Sequence, residues 1–319
     1  MRGLLIINPQ ATSTSGDGAD LVARSLAGLV DLEVAHTRYR GHARELAAAA
    51  DQDLVIVFGG DGAINEVVNG LMDRRGRSAS TPLPALATIP GGGGNVFARA
   101  LGLPASPPDA ITRVRDLLAS DSYRTIGLAL AGDRYFTFSA GLGMDAEVVH
   151  DVEQERARGR RESQALFMRT IVRRYYTGTD RRVPALTLDR DGEAPLSGLF
   201  MVLVTNSAPW TYFRGRPLLP KPGPDFSSGL DVLGLTRLHI PDILGAIHQM
   251  IYAPGRNREP SGKHVVTAYR LDSVTIRCAR PTAFHVDGEY LGEIESVKFQ
   301  FVPNALRVVA PPPPPPPPA

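Results

Sequence analysis

Leu54-Val55-Ile56-Val57-Phe58 is a short apolar run, and Gly59-Gly60-Asp61-Gly62 follows it without a spacer. Ala85–Ile89, then Pro90 and Gly91-Gly92-Gly93-Gly94-Asn95, repeat that order. Apolar runs this short, ended by glycine or proline, read as strands buried on both faces. Each glycine turn passes straight into a helical pattern, Ala63–Asp73 after the first and Asn95–Leu101 after the second. Residues 4–7 form a third such strand, stopped by Asn8-Pro9, and Leu21, Val22, Leu26 and Leu29 are spaced as on a helix over 19–30. A strand near Leu32–Ala35 and an alanine-rich helix over Ala43–Ala50 complete the series. Strands alternating with helices predict a doubly wound parallel sheet that binds ligands at the carboxyl ends of its strands.

Glycine lets backbone N–H groups come close to phosphate oxygens, and a helix that starts there adds its positive end. Asp61 would repel a phosphate, so a divalent cation between the two is the natural arrangement, through water if the ion is Mg²⁺. The plainer alternative is a strand-closing turn with Asp61 as a helix cap. No Gly-Lys-Ser/Thr follows, so this is not a Walker loop. Four consecutive glycines in the second turn are costly as mere connectors. Two such turns on one sheet edge favour a backbone cradle for a polyphosphate. Far downstream stands His285-Val286-Asp287-Gly288-Glu289. Alone it is a hairpin with an Asp-Gly turn. Beside a nucleotide, either carboxylate can instead take the proton of an attacking hydroxyl.

At 319 residues the chain is long for one core, and its texture changes near residue 125. Short alternating segments follow, Tyr135–Ser139, Ala185–Asp189, Leu199–Thr205, Leu230–Leu238, Ser273–Arg277 and Val297–Phe301, with one helix at about Ser163–Tyr176. The expected organisation is an α/β nucleotide-binding domain over 1–125 and a mainly antiparallel, β-sandwich-like domain over 126–300. Residues 301–310 are a final segment that can return to the first domain, and 311–319 are a proline tail in polyproline II. The net charge of +2 supplies no field to attract nucleic acid. Cys278, the single cysteine, excludes an internal disulfide and a cysteine zinc site, so a reducing, cytoplasmic setting is expected. No apolar run is long enough to span a bilayer, and Met1-Arg2-Gly3 enters a strand rather than a signal peptide.

Other features tempt a functional reading. Glu153–Arg182 is rich in arginine and holds Leu166-Phe167-Met168, Ile171-Val172 and Tyr175-Tyr176. A basic helix with an apolar stripe can lie on an anionic bilayer. The reading favoured here is a helix that packs its stripe on the domain and solvates its arginines. Trp210 is a lipid-cleft residue or a buried anchor. His36, His42, His239, His248 and His264 have no metal-ligand spacing, and Cys278 reads as a buried small hydrophobe.

Together these motifs resemble a known family. Gly59–Gly62 with Asn65-Glu66-Val67, Gly91–Asn95 with Phe97-Ala98-Arg99-Ala100-Leu101-Gly102, Gly141-Leu142-Gly143-Met144-Asp145-Ala146, and Asp287-Gly288-Glu289 are similar, in this order, to the diacylglycerol kinase and sphingosine kinase superfamily. The resemblance runs from Asn8-Pro9 to Val308-Val309 and is nearest to the bacterial soluble lipid kinases. Asn206–Trp210 and Gly229–Val232 look like actinobacterial members. It implies ATP and Mg²⁺ as cofactors. Asn8, Thr12 and Ser13 of the Asn-Pro loop, and Thr37 before Gly41-His42-Ala43, would lie against the nucleotide. Gly59, Gly60, Asp61, Gly62, Ala63 and Glu66 would hold the triphosphate, with Asp61 on the metal, and Gly91, Gly92, Gly93, Gly94 and Asn95 would complete the site between the domains. Asp287 and Glu289 match the family's general base, with Asp287 preferred because it ends the Phe284–Val286 strand.

Three departures stand out. Ala63 replaces a usual Thr, Gly93 and Gly94 replace Ser or Thr, and Ser227-Ser228-Gly229 replaces an Asp-Gly pair that binds a structural metal in some relatives near Asp225–Asp231. The expected function is therefore an ATP-dependent lipid kinase acting on the hydroxyl of diacylglycerol or a related lipid. The alternatives are an NAD kinase-like enzyme, or a nucleotide- or lipid-binding relative with little turnover. The expected partners are a lipid substrate at a membrane surface and no nucleic acid. Peripheral contact with the inner face of the membrane and a homodimer are both compatible with it.

Overall fold

The structure is a computed structural model that describes residues 1–9, 11, 16–77, 82–160, 164–213, 215–220, 226–252 and 259–313. The chain forms two compact units, Met1–Ile126 with Asn304–Ala319, and Gly127–Pro303. Thr12, Ser13, Asp225 and most of the proline tail lie outside the described residues.

The first unit is built in chain order from β1 (Arg2–Ile7), α1 (Gly16–Leu26), β2 (Asp31–His36), α2 (His42–Ala49), β3 (Leu54–Gly59), α3 (Asp61–Arg77), β4 (Ala85–Pro90), α4 (Val96–Ala100) and α5 (Pro107–Ala119). The strands lie in the order β2-β1-β3-β4, all parallel, and Val308 near the end of the chain pairs in parallel with Leu86 of β4. Every residue of β3 and β4 is buried, as a parallel sheet covered on both faces requires. Helix α1 stops earlier than its apolar spacing predicts because Gly28, at φ +83°, supplies the left-handed stop and Val30 N–H donates back to Leu26 O. Helices α2 and α3 pack closely at Gly70, where a Cβ would come 2.2 Å from Arg44 O. Helix α5 was not foreseen, although Ser106-Pro107-Pro108-Asp109 is an ordinary helix start.

The second unit contains β5 (Tyr123–Ala131, entering from the first unit), β6 (Arg134–Phe136), β7 (Ser139–Gly143), α6 (Met144–Ala157), α7 (Gln164–Thr177), β8 (Leu186–Asp189), β9 (Leu196–Leu199), β10 (Met201–Thr205), β11 (Thr211–Phe213), β12 (Arg216–Leu218), β13 (Leu230–Leu235), α8 (Ile240–Tyr252), β14 (Val265–Leu271), β15 (Ser273–Val286) and β16 (Glu289–Val309), whose last residues return to the first unit. Its pairings are antiparallel, in the order β14-β13-β10-β7-β15-β16. The register of β15 shifts between Arg277 and Thr282, so its first half pairs with β8 and its second half with β7. That bend wraps the strands round one apolar core, in which Phe136 and Phe284 meet Phe299 edge to face at 6.0 and 6.3 Å. Two helices, α6 and α8, join the single one expected here. Among the described residues no helix is long and apolar enough to cross a membrane.

Candidate active site

In the first unit the chain runs from β1 outward to β2 on one side, while β3 and β4 lie on the other. The direction of winding therefore reverses between β1 and β3, and an open sheet binds its ligand outside the carboxyl ends at such a point. The residues singled out from sequence gather there. Asn8 follows β1, and its N–H donates to Phe58 O at 3.1 Å. Thr37 follows β2 and donates to Ile7 O at 2.9 Å, while Gly91 follows β4 and donates to Gly59 O at 2.8 Å.

The two glycine turns touch through their backbones. A Cβ on Gly92 would stand 2.7 Å from Gly60 Cα, and one on Gly60 would stand 3.2 Å from Gly92 Cα. A Cβ on Gly92 would force the facing backbone apart and one on Gly60 would crowd it, whereas Gly62 and Gly93 are exposed. Asn95, at φ +49°, clamps the second turn. Its Oδ1 accepts from Gly92 N–H at 2.9 Å, and its Nδ2 donates to Gly92 O at 2.7 Å. Asp61 joins the two turns, because its carboxylate accepts the N–H groups of Val96 at 3.0 Å and Phe97 at 3.1 Å, the first amides of α4. It is thus a helix cap, but of the helix beyond the other turn rather than its own.

Glu66 caps as well, accepting from Gly41 N–H at 2.8 Å and Ala43 N–H at 3.2 Å at the start of α2. That contact fixes the segment after Thr37. The Ala63 Cβ sits 3.0 Å from where a Cβ on Gly59 would lie, so the first turn is tight on this side too. Among the described residues no three His, Cys, Asp or Glu side chains gather as a metal site. Magnesium brought in on a triphosphate needs only one or two carboxylates, and Asp61 between the turns suits it. Asp231, just beyond the Ser227-Ser228-Gly229 departure, is buried and accepts Arg270 N–H at 3.1 Å.

In the second unit Asp287-Gly288 turns β15 into β16, with φ +47° and +76°, the left-handed pair of a tight hairpin. Asp287 is 4% exposed. Its Oδ2 accepts from Thr137 N–H at 2.8 Å and Thr137 Oγ1–H at 2.9 Å, and its Oδ1 accepts from Phe138 N–H at 3.0 Å and Ser139 N–H at 3.1 Å. Glu289 pairs with Arg134. Two residues before the turn, His285 Nε2 lies 2.7 Å from Asp145 Oδ2, both side chains largely buried. A Cβ on Gly141 would stand 2.3 Å from that Asp145 oxygen and 2.5 Å from His285 Nε2, so glycine is what admits the pair. Sequence reasoning quoted Gly141 and Asp145 only as motif and gave His285 no role. The paired glycines before Met144-Asp145 were the available signal.

Residues 2–123 match the diacylglycerol kinase catalytic domain family model. A diacylglycerol kinase of Bacillus subtilis is 27% identical over 281 residues, which cover 85% of this chain and 82% of that protein. Sphingosine kinase 1 of Arabidopsis thaliana is 28% identical over 172 residues, 51% of this chain and 35% of that protein. Among solved structures, a diacylglycerol kinase from Bacillus anthracis strain Sterne superposes with a TM-score of 0.68 at 20% identity, covering 98% of this chain and 97% of that one. That likeness shows a shared fold, an α/β unit with a parallel sheet followed by an antiparallel one.

Proposed function

Because this chain belongs to the diacylglycerol kinase and sphingosine kinase superfamily, we propose that it is a lipid kinase that transfers the γ-phosphoryl group of ATP to the hydroxyl of diacylglycerol. The observation that carries the reading is the pair of glycine turns in backbone contact where the sheet reverses its winding. Backbone uncovered by Cβ atoms suits a polyphosphate, and Asn8 and Thr37 flank it at the ends of the neighbouring strands. A magnesium ion, when bound, would neutralise phosphate charge, and Asp61 is the residue to hold it. We assign the proton of the lipid hydroxyl to Glu289. Asp287 already receives four hydrogen bonds, which fill its lone pairs and make it an anchor for the turn. Arg134 holds Glu289 in one place beside it. As Glu289 accepts the proton, the acceptor oxygen bonds to the γ-phosphorus and ADP leaves.

The test is direct. Purified chain is incubated with γ-labelled ATP and Mg²⁺ and, separately, dispersed diacylglycerol, a sphingoid base or NAD. Label in the organic extract with diacylglycerol is expected. Label on NAD alone, or ATP binding with no transfer to any acceptor, overturns the reading.

A further inference from the structure

His285 and Asp145 form a buried titratable pair that the phosphoryl transfer leaves unused. Their side chains are 3% and 12% exposed, with Nε2 2.7 Å from Asp145 Oδ2. With Nε2–H donating to the carboxylate, Nδ1 is the nitrogen left to act as a base. It is buried and has no hydrogen-bond partner among the described residues. Enclosed in this way, it does not meet the lipid hydroxyl itself. The pair is also a poor choice for packing alone. Two apolar side chains would fill the place without desolvating an acid or stranding a nitrogen.

What the pair joins gives it a use. Phe284 and Val286 lie in the apolar core, so by strand alternation His285 points to the other face of β15. There it meets the first turn of α6, which carries Asp145. The ladder between β15 and β16 shifts register between Phe284 and His285. Beyond that irregularity only His285–Tyr290 and Val286–Glu289 pair across the end of the hairpin. Helix α6 holds both arms of this end. Before the turn, Asp145 takes His285. After it, Glu153 Oε1 accepts Tyr290 N–H at 3.3 Å, and the His150 ring stacks on the Tyr290 ring at 4.0 Å and 2°. Glu289 stands between these holds. We propose that His285 is a positioning residue for phosphoryl transfer: its bond to Asp145 fixes the hairpin end against α6 and so sets the place of Glu289. The role rests on the assignment of the lipid proton to Glu289. A base displaced by about 1 Å from its hydroxyl can lose up to a hundredfold in rate.

The experiment uses the full chain with γ-labelled ATP, Mg²⁺ and dispersed diacylglycerol. His285→Gln keeps an N–H donor within reach of Asp145 and is expected to stay within a few-fold of wild type. His285→Asn is the same amide one methylene shorter, and is expected to lose about ten- to a hundredfold in kcat with KM for ATP nearly unchanged. The double variant His285→Leu/Asp145→Leu leaves no lone charge buried. It is expected to melt within a few degrees of wild type and to lose kcat as His285→Asn does. Added to Glu289→Gln, the same double change is expected to cost about twofold or less, because the residue it positions is already disabled. Wild-type kcat in His285→Asn, a loss that falls on KM for ATP, or a full further loss in the Glu289→Gln background overturns the role. So does full turnover by Glu289→Gln alone. Hydrogen–deuterium exchange over residues 286–291 needs no turnover and separates the two readings. It is expected to quicken in His285→Asn and in the double variant but not in His285→Gln. Unchanged exchange in all variants overturns the positioning, whereas quickened exchange with no phosphate transfer by any protein, wild type included, sinks the kinase reading instead.

Discussion

A carboxylate has room for about four hydrogen bonds, and Asp287 receives that many from Thr137, Phe138 and Ser139. Asp287→Asn puts an amide donor among those donors inside a buried turn. It is expected to lower stability by about 2–4 kcal/mol, read in denaturant titration. Glu289→Gln keeps shape but removes the charge paired with Arg134, so it is expected to lower the melting temperature by a few degrees and to lower kcat steeply while ATP affinity, by calorimetry, persists. A Glu289→Gln enzyme that turns over at the wild-type rate would return the base to Asp287 or remove it from the mechanism. The same scale explains Gly141. Gly141→Ala sets a methyl group against the His285–Asp145 pair and is expected to cost about 1–3 kcal/mol. Of these residues the sequence displayed Asp287 and Glu289, because Asp-Gly-Glu is a local pattern. It could not display the pairing of His285 with Asp145, which are brought together only when β15 is laid beside β7.

Elements that repeat one chemical instruction along their length were legible. Strands β1, β3 and β4 are mostly apolar runs ended by glycine, proline or asparagine, and their order implied the parallel sheet. Helix α6 was not, since it mixes Val148, Val149 and Val152 with charges on nearly every side and leaves no clean stripe. Helix α8 reads as an apolar, β-branched run, and its start is marked only by Pro241 and Asp242. Contacts between elements were hidden for a different reason. Asp61 was legible as an acid in a glycine turn or as a cap, but nothing local says that it caps α4 rather than α3. Asp61→Asn is therefore expected to do two things at once. Losing the charge at the start of α4 costs about 1 kcal/mol in denaturant titration, and kinase turnover falls far more than that loss of stability explains. Full turnover in the folded variant at saturating Mg²⁺ would leave Asp61 a cap alone. On β15, burial pushes the Cys278 thiol up from its ordinary value. A raised value keeps the thiol protonated to higher pH, so iodoacetamide is expected to label the native chain several-fold more slowly at pH 8 than the unfolded chain.

At the scale of the whole molecule, the segment that matches the catalytic family model and the segment that forms a compact unit differ. The match covers 2–123, whereas the first unit is Met1–Ile126 together with Asn304–Ala319. The chain leaves this unit, builds the whole of the second and returns to complete the first. What it brings back is core. Ala305, Leu306, Val308, Val309 and Ala310 are each 3% exposed or less, Val308 pairs with Leu86, and Arg75 donates to Ala305 O at 2.9 Å. Ser122 Oγ–H donates to Ala310 O at 3.1 Å, and Arg307 lies over the Tyr123 ring at 3.8 Å. Burying one Leu and two Val side chains contributes roughly 5–8 kcal/mol, as much as many domains have in total. Residues 1–126 alone are thus expected to lack a cooperative thermal transition by circular dichroism, despite containing the matched region and both glycine turns. Joining residues 304–313 to that fragment through a short flexible linker is expected to restore the transition, because the entropy of closing such a loop grows only slowly with its length. A fragment 1–126 that melts cooperatively within a few degrees of the linked version would show that the returning strand only covers a sheet already stable without it.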